Sequence, residues 1–187
     1  MTVDKKKIHP YKFILWVAMG SILMMFAGFT SAYIVKRNQA NWQGFDLPDI
    51  FMYSTVVIVL SSVTMQLAVR NIRNRNMQAY RQLLLVTAVL GIAFIAMQWT
   101  GFTQLHDRGI KLIGQGSNVS GSFLAAIAGM HMLHVAGGVI ALVWMLRNAL
   151  FSKTRTYTAV PAEVAAQYWH FVDLLWIYLF LFLQFVS

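Results

Sequence analysis

The sequence predicts an all-α membrane protein: a single domain, residues 1–187, folded as a polytopic bundle of five transmembrane helices. Composition is the first support, because the 187 residues are 58% hydrophobic and only 11% charged, whereas soluble domains carry about 25% charged residues. The mean hydropathy is +0.59. The apolar residues also fall into five stretches of about 20 residues, the length that crosses a bilayer as a helix.

Each stretch can be placed along the chain. The first follows Lys5, Lys6 and Lys7 and is too long for the apolar region of a signal peptide, so we expect it to be a retained span. Aromatic residues such as Trp42, Trp99 and Trp169 lie near the ends, where interfacial anchors occur. The predicted spans are 11–35, 49–69, 82–103, 122–146 and 167–187.

Basic residues alternate between the two sides of this predicted bundle. Eleven of the 15 Lys and Arg residues fall on the N-terminal side: Lys5, Lys6, Lys7, Lys12, Arg70, Arg73, Arg75, Arg81, Arg147, Lys153 and Arg155. The other side has Lys36, Arg37, Arg108 and Lys111. The positive-inside rule then predicts a cytoplasmic N-terminus, a periplasmic C-terminus and a multi-pass protein of the bacterial inner membrane. The net charge of +9 is explained by topology and anionic headgroups, and no nucleic-acid partner is expected.

Polar residues inside the spans are the candidate functional residues. The chain has no cysteine, which excludes disulfides and thiolate metal sites. An ionisable group at mid-bilayer costs about 2.5–3.5 kcal/mol on insertion scales, so such residues carry information. The residues in question are Gln98, His131, His134, His170 and Asp173, and Asp173 is the one carboxylate well inside any predicted span.

Two interpretations of the histidines compete. One is a shared metal or haem site, since His131–His134 and His170–Asp173 are each spaced to share a helical face. At 1.5 Å per residue, however, His134 lies about 18 Å and His170 about 5 Å from the cytoplasmic ends of their spans. That offset of about 13 Å is far beyond ligand distances of about 2 Å. The favoured interpretation is hydrogen bonding to facing helices; a proton relay is the weaker alternative.

Small residues spaced four apart predict close helix contacts. In the fourth span His131 points roughly opposite Gly129 of this stripe, which predicts protein on two sides of the helix and a central place for it in the bundle. The first span contains one such pair of small residues. The predicted packing residues are Gly28, Ala32, Gly121, Ala125, Gly129, Gly137 and Ala141.

Two segments have the form of known sequence motifs: Gly129 to Gly137 reads G-x-H-x-x-H-V, and Tyr168 to Trp176 reads Y-W-H-F-V-D-x-x-W. Both resemble segments of one family, subunit III of haem–copper cytochrome oxidases. The F-A-G…A-Y pattern ending at Tyr33 and the glutamine Gln98 also match, so the likeness covers essentially the whole chain, in the short five-helix bacterial form.

Two positions depart from the family pattern. Ile22 stands where many members have a glutamate, and Gly101-Phe102 stands where many have an acid after the glutamine. The mid-membrane carboxylate–histidine partnership of the family is therefore expected to be absent, and proton-uptake roles attached to that glutamate are not carried over.

The resemblance implies a non-catalytic accessory subunit of an aa3-type cytochrome c oxidase, with no haem, copper or active site of its own. It implies direct packing on subunit I, contact with subunit II, bound phospholipid and support of proton uptake; a small fourth subunit and a respiratory supercomplex stay open. The implied structural signature residues are Gln98, His131, His134, Tyr168, Trp169, His170, Asp173 and Trp176. The alternatives are a quinol oxidase subunit III, a relative associated with nitric oxide reductase, a membrane b-type cytochrome and a small transporter.

Overall fold

Five long helices account for nearly all of the described chain. The computed structural model describes residues 10–38, 42, 44, 46–110, 112, 114, 117, 119–151 and 159–186. Those residues form five α-helices and no strand: α1 (Pro10–Arg37), α2 (Ile50–Arg73), α3 (Met77–Asp107), α4 (Val119–Phe151) and α5 (Val160–Val186). Each helix is long and apolar enough to cross a membrane. The predicted all-α fold with five spanning helices is confirmed.

The helices are longer than the spans that hydropathy predicts. α3 has 31 residues and α4 has 33, which corresponds to about 46–50 Å of helix against a hydrocarbon core of about 30 Å. Hydropathy reports only the part in contact with hydrocarbon, whereas backbone hydrogen bonding continues through polar turns at the interface. Ser187, the predicted end of the last span, lies outside the described residues.

A tight turn joins α2 to α3. Arg75 adopts a left-handed backbone conformation with φ of 59°. The side-chain Oδ1 of Asn76 then accepts a 3.2 Å hydrogen bond from the backbone N–H of Ala79, which caps α3. So short a connection makes α2 and α3 antiparallel neighbours.

Four of the helices form a ring. α2 packs against α3 and α5, and α4 packs against the same two helices. α1 lies outside this ring in the groove between α4 and α5, which are its only partners among the described residues. α4 and α5 therefore each contact three helices, so the predicted central role of the fourth helix is shared with the fifth.

The interior of the ring is filled by aromatic side chains of α5. Trp169 and Trp176 are the two largest fully buried residues, and Phe51 of α2 and Phe94 of α3 are buried beside them. The tryptophans are seven residues apart, which is two helical turns, so both project from one face of α5 into the bundle.

Candidate functional site

The hydroxyl side chains of α2 hold the buried polar groups of the neighbouring helices. We call Ser54, Thr55, Ser61 and Ser62 the α2 hydroxyl row. Ser61 Oγ accepts from Trp169 Nε1 at 3.0 Å, and Thr55 Oγ1 accepts from Trp176 Nε1 at 3.0 Å. Ser54 Oγ accepts from Gln98 Nε2 of α3 at 2.8 Å. An indole N–H buried among apolar groups needs such an acceptor, so the row fixes the depth of α5 and α3 against α2.

Sequence reasoning missed this row. Its signal was nevertheless present, because the pairs Ser54-Thr55 and Ser61-Ser62 are seven residues apart in an otherwise apolar span. That spacing matches the spacing of Trp169 and Trp176 on α5. Because the two helices are antiparallel, the earlier tryptophan bonds the later serine.

The first tryptophan layer depends on two glycines. A Cβ atom at Gly91 would lie 2.8 Å from Trp169 Cη2, and a Cβ at Gly138 would lie 2.9 Å from Trp169 Cζ3. The indole of Trp169 therefore lies between the backbones of α3 and α4 while its N–H reaches α2. One side chain of α5 thereby contacts all three other helices of the ring.

The second layer encloses His131. Its ring stacks on Trp176 with centroids 5.0 Å apart and meets Phe94 edge-on at 5.9 Å. Phe26 of α1 also meets it edge-on, at 6.3 Å. His131 is fully buried, and neither ring nitrogen has a hydrogen-bond partner among the described residues. The imidazole is packed as an aromatic ring of the core.

His134 is held within its own helix. Its Nδ1 donates to the carbonyl oxygen of Met130 at 2.7 Å, and Phe26 meets the ring edge-on at 5.9 Å. The hydroxyl of Tyr168 donates to the backbone carbonyl of His134 at 3.0 Å, which links α5 to α4. Ile22, where the family pattern has a glutamate, packs as a partly buried apolar side chain against the core.

His170 faces α2 and not the other histidines. Its Nδ1 is hydrogen-bonded to Ser62 Oγ, and its Nε2 lies 3.2 Å from Gln66 Oε1. Asp173, one turn further along α5, is only 3% exposed. Neither carboxyl oxygen of Asp173 has a hydrogen-bond partner among the described residues.

The two histidine pairs are separated in the bundle. His131 stacks on Trp176, which is six residues, or about 9 Å of helix rise, beyond His170. Within the described ranges, no group of three or more His, Cys, Asp or Glu side chains comes together as a metal site would require. The geometry of these residues therefore offers no shared centre for the two pairs.

Three of the predicted packing glycines do not lie at close helix contacts among the described residues. A Cβ added at Gly28, Gly129 or Gly137 would meet nothing within 4 Å. Ala141 is exposed, Ala32 and Ala125 are partly buried, and Gly121 is buried. Close approaches occur at Gly91 and Gly101 of α3 and at Gly138 of α4. On α4, Gly138 is buried whereas its neighbour Gly137 is exposed.

An ion-pair cluster closes one end of the bundle. Glu163 Oε1 accepts from Arg73 Nη2 at 2.8 Å, and Glu163 Oε2 accepts from Lys12 Nζ at 3.1 Å. The N-terminal ends of α1 and α5 therefore lie at the same end as the C-terminal end of α2. This agrees with the predicted grouping of Lys12 and Arg73 on one side of the membrane.

Beside this cluster, an apolar groove opens between α1, α4 and α5. It has a volume of about 740 Å³, and its wall includes Leu15 of α1, Trp144 of α4 and Tyr168 of α5. Its lining is almost entirely apolar, which suits an acyl chain better than a polar ligand.

The match to a known family extends over the same five helices. A sequence model of cytochrome c oxidase subunit III matches residues 11–187 of this chain. The chain belongs to the cytochrome c oxidase subunit III family. The family suggested by the 129–137 and 168–176 segments is thus confirmed, and multi-pass membrane insertion is consistent with it.

Individual members of the subunit III family match at moderate identity. The chain is 35% identical over 182 residues to the probable cytochrome c oxidase subunit 3 of Nocardia farcinica, covering 92% of this chain and 85% of that protein. It is 30% identical over 177 residues to the probable subunit 3 of Mycobacterium leprae, with the same coverages. With the subunit 3 of Bacillus subtilis it shares 29% identity over 175 residues, or 88% and 81% of the two chains. Because the chain belongs to a family of oxidase subunits, the two alternative hypotheses of a membrane b-type cytochrome and a small transporter have no support from these comparisons.

Proposed function

We propose that this chain is the metal-free accessory subunit III of an aa3-type haem–copper cytochrome c oxidase. In this role it packs on subunit I, contacts subunit II, holds phospholipid and supports proton uptake during O₂ reduction, while the redox chemistry takes place in the partner subunits. The observation that carries the proposal is the family match over the whole five-helix bundle. Relatives named as cytochrome c oxidase subunits favour cytochrome c over quinol as the donor of the complex.

The use of the interior polar groups supports a structural role. Gln98, Trp169 and Trp176 each donate to a hydroxyl of α2, and Tyr168 donates to the backbone of α4. Hydrogen bonds of this kind position helices within a bilayer, where no water competes for the donors. These signature residues therefore act by fixing the shape of a surface that a larger partner recognises.

The apolar groove supports the proposed phospholipid. Its wall carries Trp144 and Tyr168, and Lys12 lies three residues from the lining residue Leu15. An acyl chain along the groove would place its headgroup near the basic end of the bundle, where anionic lipid is attracted.

Association with an oxidase is tested by gentle detergent extraction followed by native-gel mass spectrometry. We expect this chain to migrate with a haem-containing subunit I and a copper-containing subunit II. Migration alone would refute the proposal. If the second subunit of the complex lacked copper, we would assign the chain to a quinol oxidase instead.

The orientation is tested by cysteine labelling, which the absence of native cysteine makes clean. Several basic residues behind the orientation, Lys5, Lys6, Lys7, Lys111, Lys153 and Arg155, lie outside the described residues. Asn74→Cys lies in the exposed turn between α2 and α3, and His106→Cys lies at the opposite end of α3. With a cytoplasmic N-terminus in the bacterial inner membrane, an impermeant maleimide should label His106→Cys in spheroplasts and Asn74→Cys only after lysis. The reverse order would overturn the orientation.

A further inference from the structure

The outer face of α5 forms an open trough between α1 and α2. Glu163, His170, Leu174 and Leu181 share this face, because their spacings of seven, four and seven residues return to the same side of a helix. α5 packs against both α1 and α2, but those two helices do not pack against each other within the described ranges. Leu174 is 67% exposed and Leu181 is 47% exposed. We call this face of α5, with α1 and α2 as its walls, the α5 trough.

The dimensions of the α5 trough suit a transmembrane helix. From Glu163 to Leu181 the face rises through eighteen residues, or about 27 Å, against a hydrocarbon core of about 30 Å. One end is closed by the ion-pair cluster, in which Glu163 bonds Lys12 of α1 and Arg73 of α2. A helix laid along this face is therefore in contact with it across most of the membrane.

Polar side chains lie in the α5 trough below the level of the lipid headgroups. Gln66 of α2 is exposed, His170 is half-buried, and Gln66 Oε1 lies 3.2 Å from His170 Nε2. Gln66 lies seven residues, or about 10 Å, before Arg73, whereas the headgroup layer is about 5–7 Å thick on each side. The amide nitrogen of Gln66 has no hydrogen-bond acceptor in the described part of the chain. Because such a donor is costly to leave in hydrocarbon, this depth requires a polar partner.

Charge at the closed end discriminates between possible occupants. Glu163 is the single carboxylate beside Lys12 and Arg73, and Arg70 is exposed one turn before Arg73 on α2. A second copy of this chain, in the same orientation in the membrane, would bring the same cations against each other. A phospholipid would match the cations, but its acyl chains offer no acceptor at the depth of Gln66. A helix of a different subunit can supply both a carboxylate and a deeper acceptor.

We propose that the α5 trough holds one transmembrane helix of the oxidase subunit on which this chain packs. That helix carries an acidic side chain at the level of Arg73, a hydrogen-bond acceptor at the depth of Gln66 and apolar residues against Leu174 and Leu181. The existence of this partner rests on the proposed function, and the face that it meets is added here. The apolar groove beside α4 has other lining residues and stays available to phospholipid.

The first test is photocrosslinking in membranes that contain the assembled oxidase. With the photoreactive residue p-benzoylphenylalanine at Leu174, irradiation should link this chain to the haem-containing subunit, and mass spectrometry identifies the linked peptide. That peptide should be an apolar segment with Asp or Glu at the end nearest Arg73. Leu133 on the outer face of α4 is the matched control, because it is also 67% exposed and should give little or none of this product.

The results that would overturn the proposal are distinct from those that would refute the proposed function. The α5 trough is not the binding face if the probe at Leu174 links only lipid, links a second copy of the chain or gives no protein product. Equal yields at Leu133 and Leu174, or a basic residue at the end of the linked segment nearest Arg73, would also overturn it. Each of these results, in a chain that still copurifies with haem, leaves the proposed function intact. A chain that never joins a haem-containing complex refutes that function.

The second test concerns the polar contact. Gln66→Leu should raise the dissociation constant of this chain from the detergent-extracted complex by about threefold to tenfold, the effect of one interhelical hydrogen bond. Gln82→Leu is the matched control, because Gln82 is also exposed, lies five residues after the start of α3 at the same end of the bundle, and is outside the trough. Its dissociation constant should equal that of wild type. Equal dissociation constants for Gln66→Leu and Gln82→Leu would contradict a partner acceptor at this depth.

Discussion

Trp176→Ala is expected to lower the free energy of unfolding by about 3 kcal/mol, near the lower end of the range for truncating a buried aromatic residue. Trp176 is fully buried. Its indole stacks on His131, meets Phe94 edge-on at 5.1 Å and donates to Thr55. The alanine variant loses these contacts and leaves a cavity. The expected loss of stability lies at the lower end of that range because the side chain is in an apolar environment in the unfolded state as well. Removing it therefore forfeits packing contacts but little free energy of transfer from water.

The measurement is reversible unfolding of the chain in mixed detergent micelles, followed by circular dichroism. Trp144→Ala is the matched control, because that tryptophan is 63% exposed on α4 and its truncation should change the unfolding free energy little. The same variants can be compared for retention of the chain in the extracted complex. Equal losses at the two positions would contradict the layer of rings around His131.

Gly138→Val is expected to destabilise the bundle by about 1–3 kcal/mol, the usual cost of overpacking a core. The new Cβ would lie 2.9 Å from Trp169 Cζ3 and 3.2 Å from Tyr168 Cε1. The indole has little freedom to retreat, because Trp169 Nε1 is bonded to Ser61 and Gly91 limits it on the α3 side. The variant should therefore force α4 away from α5 and weaken the Tyr168–His134 hydrogen bond.

Gly137→Val provides the adjacent control on the same helix. A Cβ at Gly137 meets nothing within 4 Å, so its unfolding free energy should remain close to that of wild type. Both variants are measured by the same micelle titration. If Gly137→Val proved as harmful as Gly138→Val in the isolated chain, the assigned rotation of α4 would be wrong. A loss confined to the assembled complex would instead identify Gly137 as a contact for a partner subunit.

Hydropathy was sufficient to predict the helices. Apolar side chains in lipid impose intrahelical hydrogen bonding on the backbone, so five long apolar stretches lead to five helices whatever their arrangement. The motif at residues 168–176 was equally informative, because it combines four aromatic with two ionisable residues at fixed spacing. It led to the family that the match over residues 11–187 then confirmed.

The partners of the motif residues were not predictable from the same sequence signals. Serine and threonine are common in membrane helices, and their role depends on which helix face meets a donor. Only the packing of α2 on α5 brings Ser61 to Trp169 and Ser62 to His170. The glycines show the same dependence: Gly137 and Gly138 are neighbours in the chain, yet only Gly138 lies against Trp169.

The sequence by itself determined that this protein has five membrane-spanning helices, belongs to the subunit III family and carries one acid deep in its last span. These properties follow from hydropathy and from residue identity, which are local. The tertiary structure alone decided that His131 lies in an aromatic cage, that the α2 hydroxyl row holds the tryptophans, and that Ser62 is bonded to His170. These relations depend on the rotation and depth of each helix against its neighbours, which are set by packing between residues distant in the chain.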